Sequence, residues 1–149
     1  MRLLILRHGQ AAAGAVDAER PLTELGKDEV RWMVGRRRED LAGVRTIWSS
    51  PYVRALESAR IVADSLGLEV HEQPLLVPNA RMPELVEALR AADIESLLLV
   101  SHQPLVGNLV DSLSGGNGAL GTASLTCLES DIWAAGCCEQ RWVEHVRLG

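Results

Sequence analysis

Residues 96–113, Ser-Leu-Leu-Leu-Val-Ser-His-Gln-Pro-Leu-Val-Gly-Asn-Leu-Val-Asp-Ser-Leu, decide the fold class. The first six form a strongly apolar run closed by serines, the pattern of a strand covered on both faces. Pro104 then opens a helix that runs to about Leu113, since proline suits the first helical turn. A buried strand followed at once by a helix is half of an α/β layer unit.

The rest of the chain repeats this alternation. Arg2 to Arg7 reads as a first strand, and Thr23 caps a helix running to about Asp40, with Asp28 and Glu29 in its early turns. Thr46 to Ser49 is a short strand. Ser50-Pro51 starts the next helix, whose apolar residues Val53, Leu56, Ala59, Val62, Ala63 and Leu66 precede a terminating Gly67. Glu69 to Glu72 reads as a third strand and Pro83 to Ala91 as a helix. Thr122 to Glu129 and Arg141 to Arg147 read as antiparallel or edge strands joined by a turn near Gly136. The expected architecture is an α/β three-layer sandwich, a mostly parallel central sheet with helices on both faces, formed by one domain over 1–149.

Composition narrows the function classes. With no Phe, the core must be built from Leu, Val, Ile and Ala. No run approaches the eighteen or so uninterrupted apolar residues of a membrane span, and MRLLILRHG at the start is apolar for too short a stretch to be a secretory signal. Three cysteines, Cys127, Cys137 and Cys138, are an odd number that fits no disulfide framework, so the expected location is the reducing cytoplasm. A net charge of -5 argues against nucleic acid as a partner. The dense basic run Arg36-Arg37-Arg38 reads as a solvated helix end. Trp32, Trp48, Trp133 and Trp142 fit core packing or an interface equally.

In open α/β sheets, ligands bind beyond the carboxyl ends of the strands. Three segments sit there: Arg7-His8-Gly9, Ser49-Ser50-Pro51 with Arg54, and Ser101-His102. Together they offer two histidines and two arginines, a set suited to phosphoryl transfer. Arginines hold the anionic oxygens through planar, permanently charged donors, and the helix start adds backbone donors. A neutral imidazole attacks phosphorus once its other nitrogen is fixed as a donor.

The run LRHGQ at 6–10 resembles the Arg-His-Gly signature of the histidine phosphatase (phosphoglycerate mutase-like) superfamily. RPLTELG at 20–26, SSPYVRALESA at 49–59 and VSHQPLVGNLV at 100–110 extend the resemblance, in order, over nearly the whole chain. The short length and the RPLT and SHQPLVGNLV forms look most like the SixA branch, which acts on phosphohistidine of signalling proteins. The resemblance implies a phosphoglycerate mutase-like fold and a transiently phosphorylated His8. It also implies phosphoryl binding by Arg7 and Arg54, a donating His102, and Arg20 as a further phosphate-site residue or a pin for its loop. No cofactor and no metal enter this scheme.

Larger members of the superfamily carry a mid-chain acid that protonates the leaving oxygen. Here Leu75 to Glu87 offers Glu84 and Glu87 in no matching motif, and cap or solvent positions account for both. Glu84 is therefore a minor candidate for general acid. A phosphohistidine substrate needs less acid help, because its P–N bond is labile. The implied partner is a phosphorylated histidine-containing protein, with no membrane involved. The alternatives are a small phosphorylated metabolite such as a sugar phosphate, or a non-catalytic phosphate-binding module.

Several features read blandly. GNGALG at 116–121 matches a dinucleotide fingerprint literally, but it follows a helix and leads into a strand, so it reads as a loop. Cys137-Cys138 with His145 lacks zinc-site spacing. His71 and His145 read as strand or surface residues, and Ser49 and Ser101 as supporting or capping groups, since neither sits in a nucleophile elbow.

Overall fold

The two apolar runs lie side by side as parallel strands β1 (Arg2–Arg7) and β4 (Ser96–Ser101), with Arg2 opposite Ser96 and Arg7 opposite Ser101. This register in the computed structural model, which describes residues 1–148, carries His8 and His102 off the same edge of the sheet. Strands β2 (Thr46–Ser49) and β3 (Val70–Glu72) extend the parallel part, while β5 (Leu125–Glu129) and β6 (Glu139–Glu144) add two antiparallel neighbours. The order is β3-β2-β4-β1-β5-β6. The helices are α1 (Glu24–Arg36), α2 (Arg38–Leu41), α3 (Val53–Leu66), α4 (Met82–Ala92) and α5 (Leu105–Ser114).

Successive strand residues point to opposite faces, so a run apolar throughout needs cover on both. Leu3, Ile5, Leu97 and Leu99 pack with Leu85 and Leu89 of α4 and Val106, Leu109 and Val110 of α5. Leu4, Leu6, Leu98 and Val100 pack on the other side with Val30 and Met33 of α1 and Ala59, Val62 and Ala63 of α3. The expected three-layer sandwich is the observed one. Each fully buried Leu contributes about 1.5–3 kcal/mol, and Trp133, also fully buried, supplies bulk that the missing Phe would have given.

Several boundaries differ from the sequence reading, the larger differences being these. The first helix breaks at Arg37, whose backbone leaves the helical region at φ -113, ψ 32, to give α1 and α2. The basic run there is not simply solvated. Arg36 and Arg37 both pair with the buried Glu144, at 3.2 and 3.1 Å, and the Arg37 guanidinium lies 3.8 Å over Trp142. The third helix starts at Val53, with Tyr52 in extended backbone (φ -65, ψ 140) as its cap, rather than directly after a Ser50 cap at Pro51. β5 starts at Leu125, since Ala123 takes a left-handed turn at φ 55. β6 spans Glu139–Glu144, soon after the turn at Gly136, φ 70, rather than Arg141 to Arg147.

Candidate active site

His8 is the first residue past β1, and the end of β4 and the turn before β5 fix its backbone. Its N–H donates to the Ser101 carbonyl at 3.1 Å, and its carbonyl accepts from Ala123 at 3.0 Å. The next N–H, of Gly9, donates to Ser58 Oγ at 3.1 Å, and Ser58 in turn donates to the Arg54 carbonyl at 2.8 Å. Gly9 is required because a Cβ there would stand 2.5 Å from the Gly26 carbonyl oxygen. The glycines of RHG and RPLTELG thus let the His8 loop and the first turn of α1 touch backbone to backbone.

His8 Nδ1 lies 2.7 Å from the Gly9 carbonyl oxygen, which can only accept, so Nδ1 carries the proton and Nε2 the lone pair. Arg54, in the first turn of α3, donates from Nε to that Nε2 at 3.3 Å. The tautomer suited to nucleophilic attack is therefore the one the hydrogen bonds select. His102 closes the group, its ring centroid 5.0 Å from that of His8 and 5.1 Å from that of Tyr52. His102 Nε2 sits 2.7 Å from Ser50 Oγ, which also accepts from the Tyr52 N–H at 3.2 Å.

Burial dominates the electrostatics. It lowers His8 to about 4, against the Gly9 carbonyl and with the help of Arg54, Arg7 and Arg20. It lowers His102 to about 3, with His8 and Arg54 adding to the shift. Both imidazoles are neutral at pH 7. Arg7 donates from Nη1 to the Leu120 carbonyl at 2.9 Å, and desolvation lowers its guanidinium. Arg7 Nε and His102 Nδ1 are buried polar atoms with no hydrogen-bond partner among the described residues. Such groups are uncommon in folded proteins.

The four expected residues Arg7, His8, Arg54 and His102 come together here. Arg20 stands beside them as a loop pin, donating from Nε to the Ala12 carbonyl at 2.8 Å and from Nη1 to Asp17 Oδ1 at 2.9 Å. Glu84 lies in the exposed first turn of α4, 3.8 Å from Arg81, and makes no hydrogen bond or ion pair with the four. Ser101 donates to the Leu76 carbonyl and Ser49 to the Ser50 carbonyl, both as supports. The 116–121 loop is packing material. Gln103 holds the Gly118 carbonyl at 2.8 Å, and a Cβ on Gly107 would meet the Gly118 oxygen at 2.6 Å. His145 is engaged with Ser124 Oγ at 2.9 Å, and no group of three or more metal-ligating side chains exists among the described residues.

Sequence reasoning missed four contributors. Ser50 appeared as a helix cap, yet its hydroxyl meets His102. Ser58 and Glu29 tie loops together, Glu29 accepting from the Gln10 N–H and the Thr122 hydroxyl, each at 2.8 Å. Asp17 accepts from Arg54 Nη2 at 3.2 Å and, through its carbonyl, from Nη1 at 2.7 Å. The short Asp17–Arg20 spacing was the available signal. A depression of about 790 Å³ lined by Met1, Arg2 and Glu139 lies at the opposite end of β1 and touches none of these residues.

The family model of the histidine phosphatase superfamily (branch 1) matches residues 3–77. Phosphohistidine phosphatase SixA of Escherichia coli (strain K12) is 35% identical over 122 residues, 78% of this chain and 76% of that protein. The structure of the protein histidine phosphatase SixA complexed with tungstate superposes with a TM-score of 0.86 at 31% identity, covering 97% of each chain. A mycobacterial glucosyl-3-phosphoglycerate phosphatase shares the fold at 20% identity, with a TM-score of 0.72 over 94% of this chain and 96% of that one. By motif order, site geometry and these similarities, the chain belongs to the histidine phosphatase superfamily.

Proposed function

We propose that this protein is a phosphohistidine phosphatase, which takes a phosphoryl group from a histidine of a partner protein onto His8 and passes it to water. The observation that carries the reading is the fixed tautomer of His8: Nδ1–H is held by the Gly9 carbonyl, and the Nε2 lone pair lies next to Arg54. Similarity to SixA supports phosphohistidine as the substrate class. Tungstate in the related structure is a tetrahedral oxyanion, as a phosphoryl donor's terminal group is.

In this scheme Nε2 of His8 attacks phosphorus, while Arg7 and Arg54 neutralise the equatorial oxygens and His102 donates to them. Arg20 holds the loop that faces Arg54 and adds positive charge. Preorganised charge of this kind supplies most of the catalysis in phosphoryl transfer. The lowered histidine values suit the first step, since a neutral His8 is the competent nucleophile throughout the neutral range. Arrival of an anionic phosphoryl group favours protonation of His102, opposing its burial. Glu84, exposed and paired with Arg81, has no part in the scheme. The free thiols Cys127, Cys137 and Cys138 suit a reducing, cytoplasmic setting, where phosphohistidine signalling domains are the partners.

The test is to incubate the purified protein with a phosphohistidine-bearing protein and, in parallel, with a panel of phosphate esters, using His8→Ala as control. Rapid His8-dependent loss of phosphohistidine with esters nearly inert is expected. Fast ester hydrolysis with phosphohistidine untouched would overturn the substrate assignment and leave His8 as nucleophile. Background turnover in both proteins would favour a phosphate-binding module.

A further inference from the structure

Asp17 places a carboxylate against two arginines of the site, Arg20 and Arg54. Oδ1 accepts from Arg20 Nη1 at 2.9 Å and Oδ2 from Arg54 Nη2 at 3.2 Å. The same Arg54 guanidinium reaches His8 Nε2 through Nε at 3.3 Å. One planar group thus runs from the attacking nitrogen to the Asp17 carboxylate. His8 is 8% exposed and the Asp17 side chain 57%, so Asp17 stands on the solvent side of the Arg54 guanidinium. An in-line displacement sends the leaving group out on the side away from the nucleophile, and the carboxylate held on the far end of Arg54 is an exposed acceptor for a departing ring.

We propose that Asp17 accepts a hydrogen bond from the distal ring N–H of the substrate's phosphohistidine and so keeps that ring protonated while the phosphoryl group departs. This rests on the phosphohistidine reading above and names the residue that selects the substrate. The His8 Nε2 lone pair forms the new N–P bond. The old N–P bond breaks, and its electron pair returns to the ring nitrogen that held phosphorus. With a proton on the distal nitrogen the ring leaves as neutral imidazole; without it, imidazolate must leave, and that is a far poorer leaving group. No proton moves during the transfer. An ionised carboxylate therefore suffices where an ester would demand a carboxylic acid.

The surroundings keep Asp17 in the required form. Hydrogen bonds from Arg20 and Arg54 hold its carboxyl below the ordinary carboxylate range. Arg20 comes from its own loop and Arg54 from α3. His8 and Arg7 at the end of β1, and His102 at the end of β4, face the same cluster from behind. Glu57, one turn along α3, is occupied by the Leu22 N–H at 2.8 Å. A carboxylate so held cannot protonate an alkoxide, which accounts for a site without a general acid.

The test compares kcat/KM for a phosphohistidine protein and for p-nitrophenyl phosphate, whose phenolate leaves without a proton. The value of kcat/KM reports steps up to transfer onto His8, so later hydrolysis does not obscure it. In Asp17→Asn the ratio of the two values is expected to fall about 10- to 100-fold, the loss of one charge-assisted hydrogen bond. In single turnover at saturating phosphohistidine protein, where the pH limbs report the bound state, the alkaline limb should also move to lower pH, and Asp17→Glu should recover part of the ratio. A ratio and limb unchanged in Asp17→Asn would overturn the assignment and leave Asp17 as a support for Arg54. Absence of phosphohistidine turnover by the wild type, with the ester still cleaved, would instead overturn the functional reading on which it rests.

Discussion

Replacing Ser50 by Ala removes one oxygen and should disturb two separate properties. Ser50 Oγ is 2.7 Å from His102 Nε2 and accepts from the Tyr52 N–H at 3.2 Å. Ser50 is fully buried and His102 is 1% exposed, so water cannot readily replace what is lost. His102 Nδ1 already lacks a partner, which leaves the variant ring with none. Leaving a buried polar group unsatisfied costs about 1–3 kcal/mol. For a chain of this size each kcal/mol lowers the melting temperature by roughly 2–4 °C, so a drop of about 2–12 °C is expected. Urea unfolding should show a lower midpoint with an unchanged slope. Activity should fall as well, because the orientation and tautomer of His102 are no longer fixed. A double-mutant cycle with His102→Ala isolates the contact, and a coupling of about 1 kcal/mol is expected. An unchanged midpoint, or strict additivity in the cycle, would refute the argument.

Two glycines of α1 should respond to Ala with opposite signs. A Cβ on Gly26 would overlap the Gln10 backbone, so Gly26→Ala should destabilise by about 1–3 kcal/mol despite its better helix propensity. Gly35 has nothing within 4 Å of that position, and Gly35→Ala should stabilise by about 0.5–1 kcal/mol; denaturant midpoints showing the same sign for both would contradict the close approach. Stability should also depend on pH through the two site histidines. Their folded values of about 4 and about 3 lie below the ordinary 6.5, so the unfolded chain binds protons that the folded chain does not. Stability is then full above about pH 6.5 and declines as pH falls toward 4. The urea midpoint should be lower at pH 5 than at pH 7.5, with a flatter dependence in His8→Ala; an equal or higher midpoint at pH 5 would be inconsistent with neutral buried imidazoles.

The apolar runs at 2–7 and 96–101 could be read without coordinates, because a strand covered on both faces leaves a continuous hydrophobic signature. From them followed the alternation of strand and helix, the parallel sheet, and the edge carrying Arg7, His8, Arg54 and His102. The helix starts were less legible. Ser50-Pro51 has the composition of a cap and its hydroxyl does accept from the Tyr52 N–H, but only the position of His102, fifty-two residues away in sequence, adds the contact to the imidazole. Ala123 falls inside the strand read from Thr122 to Glu129, since a left-handed residue leaves no mark unless it is glycine. The basic run at 36–38 gave no hint of Glu144, because ion pairs between distant segments have no period.

The sequence by itself determined the layer architecture and the kinds of side chain gathered at one sheet edge, since periodicity and motif order are local properties. The tertiary structure decided which nitrogen of His8 is free, which hydroxyl meets His102, and that Asp17 lies against Arg54. Those facts depend on distances between segments remote in the chain, and hydrogen-bond direction is set only when the donors and acceptors are brought within about 3 Å of each other.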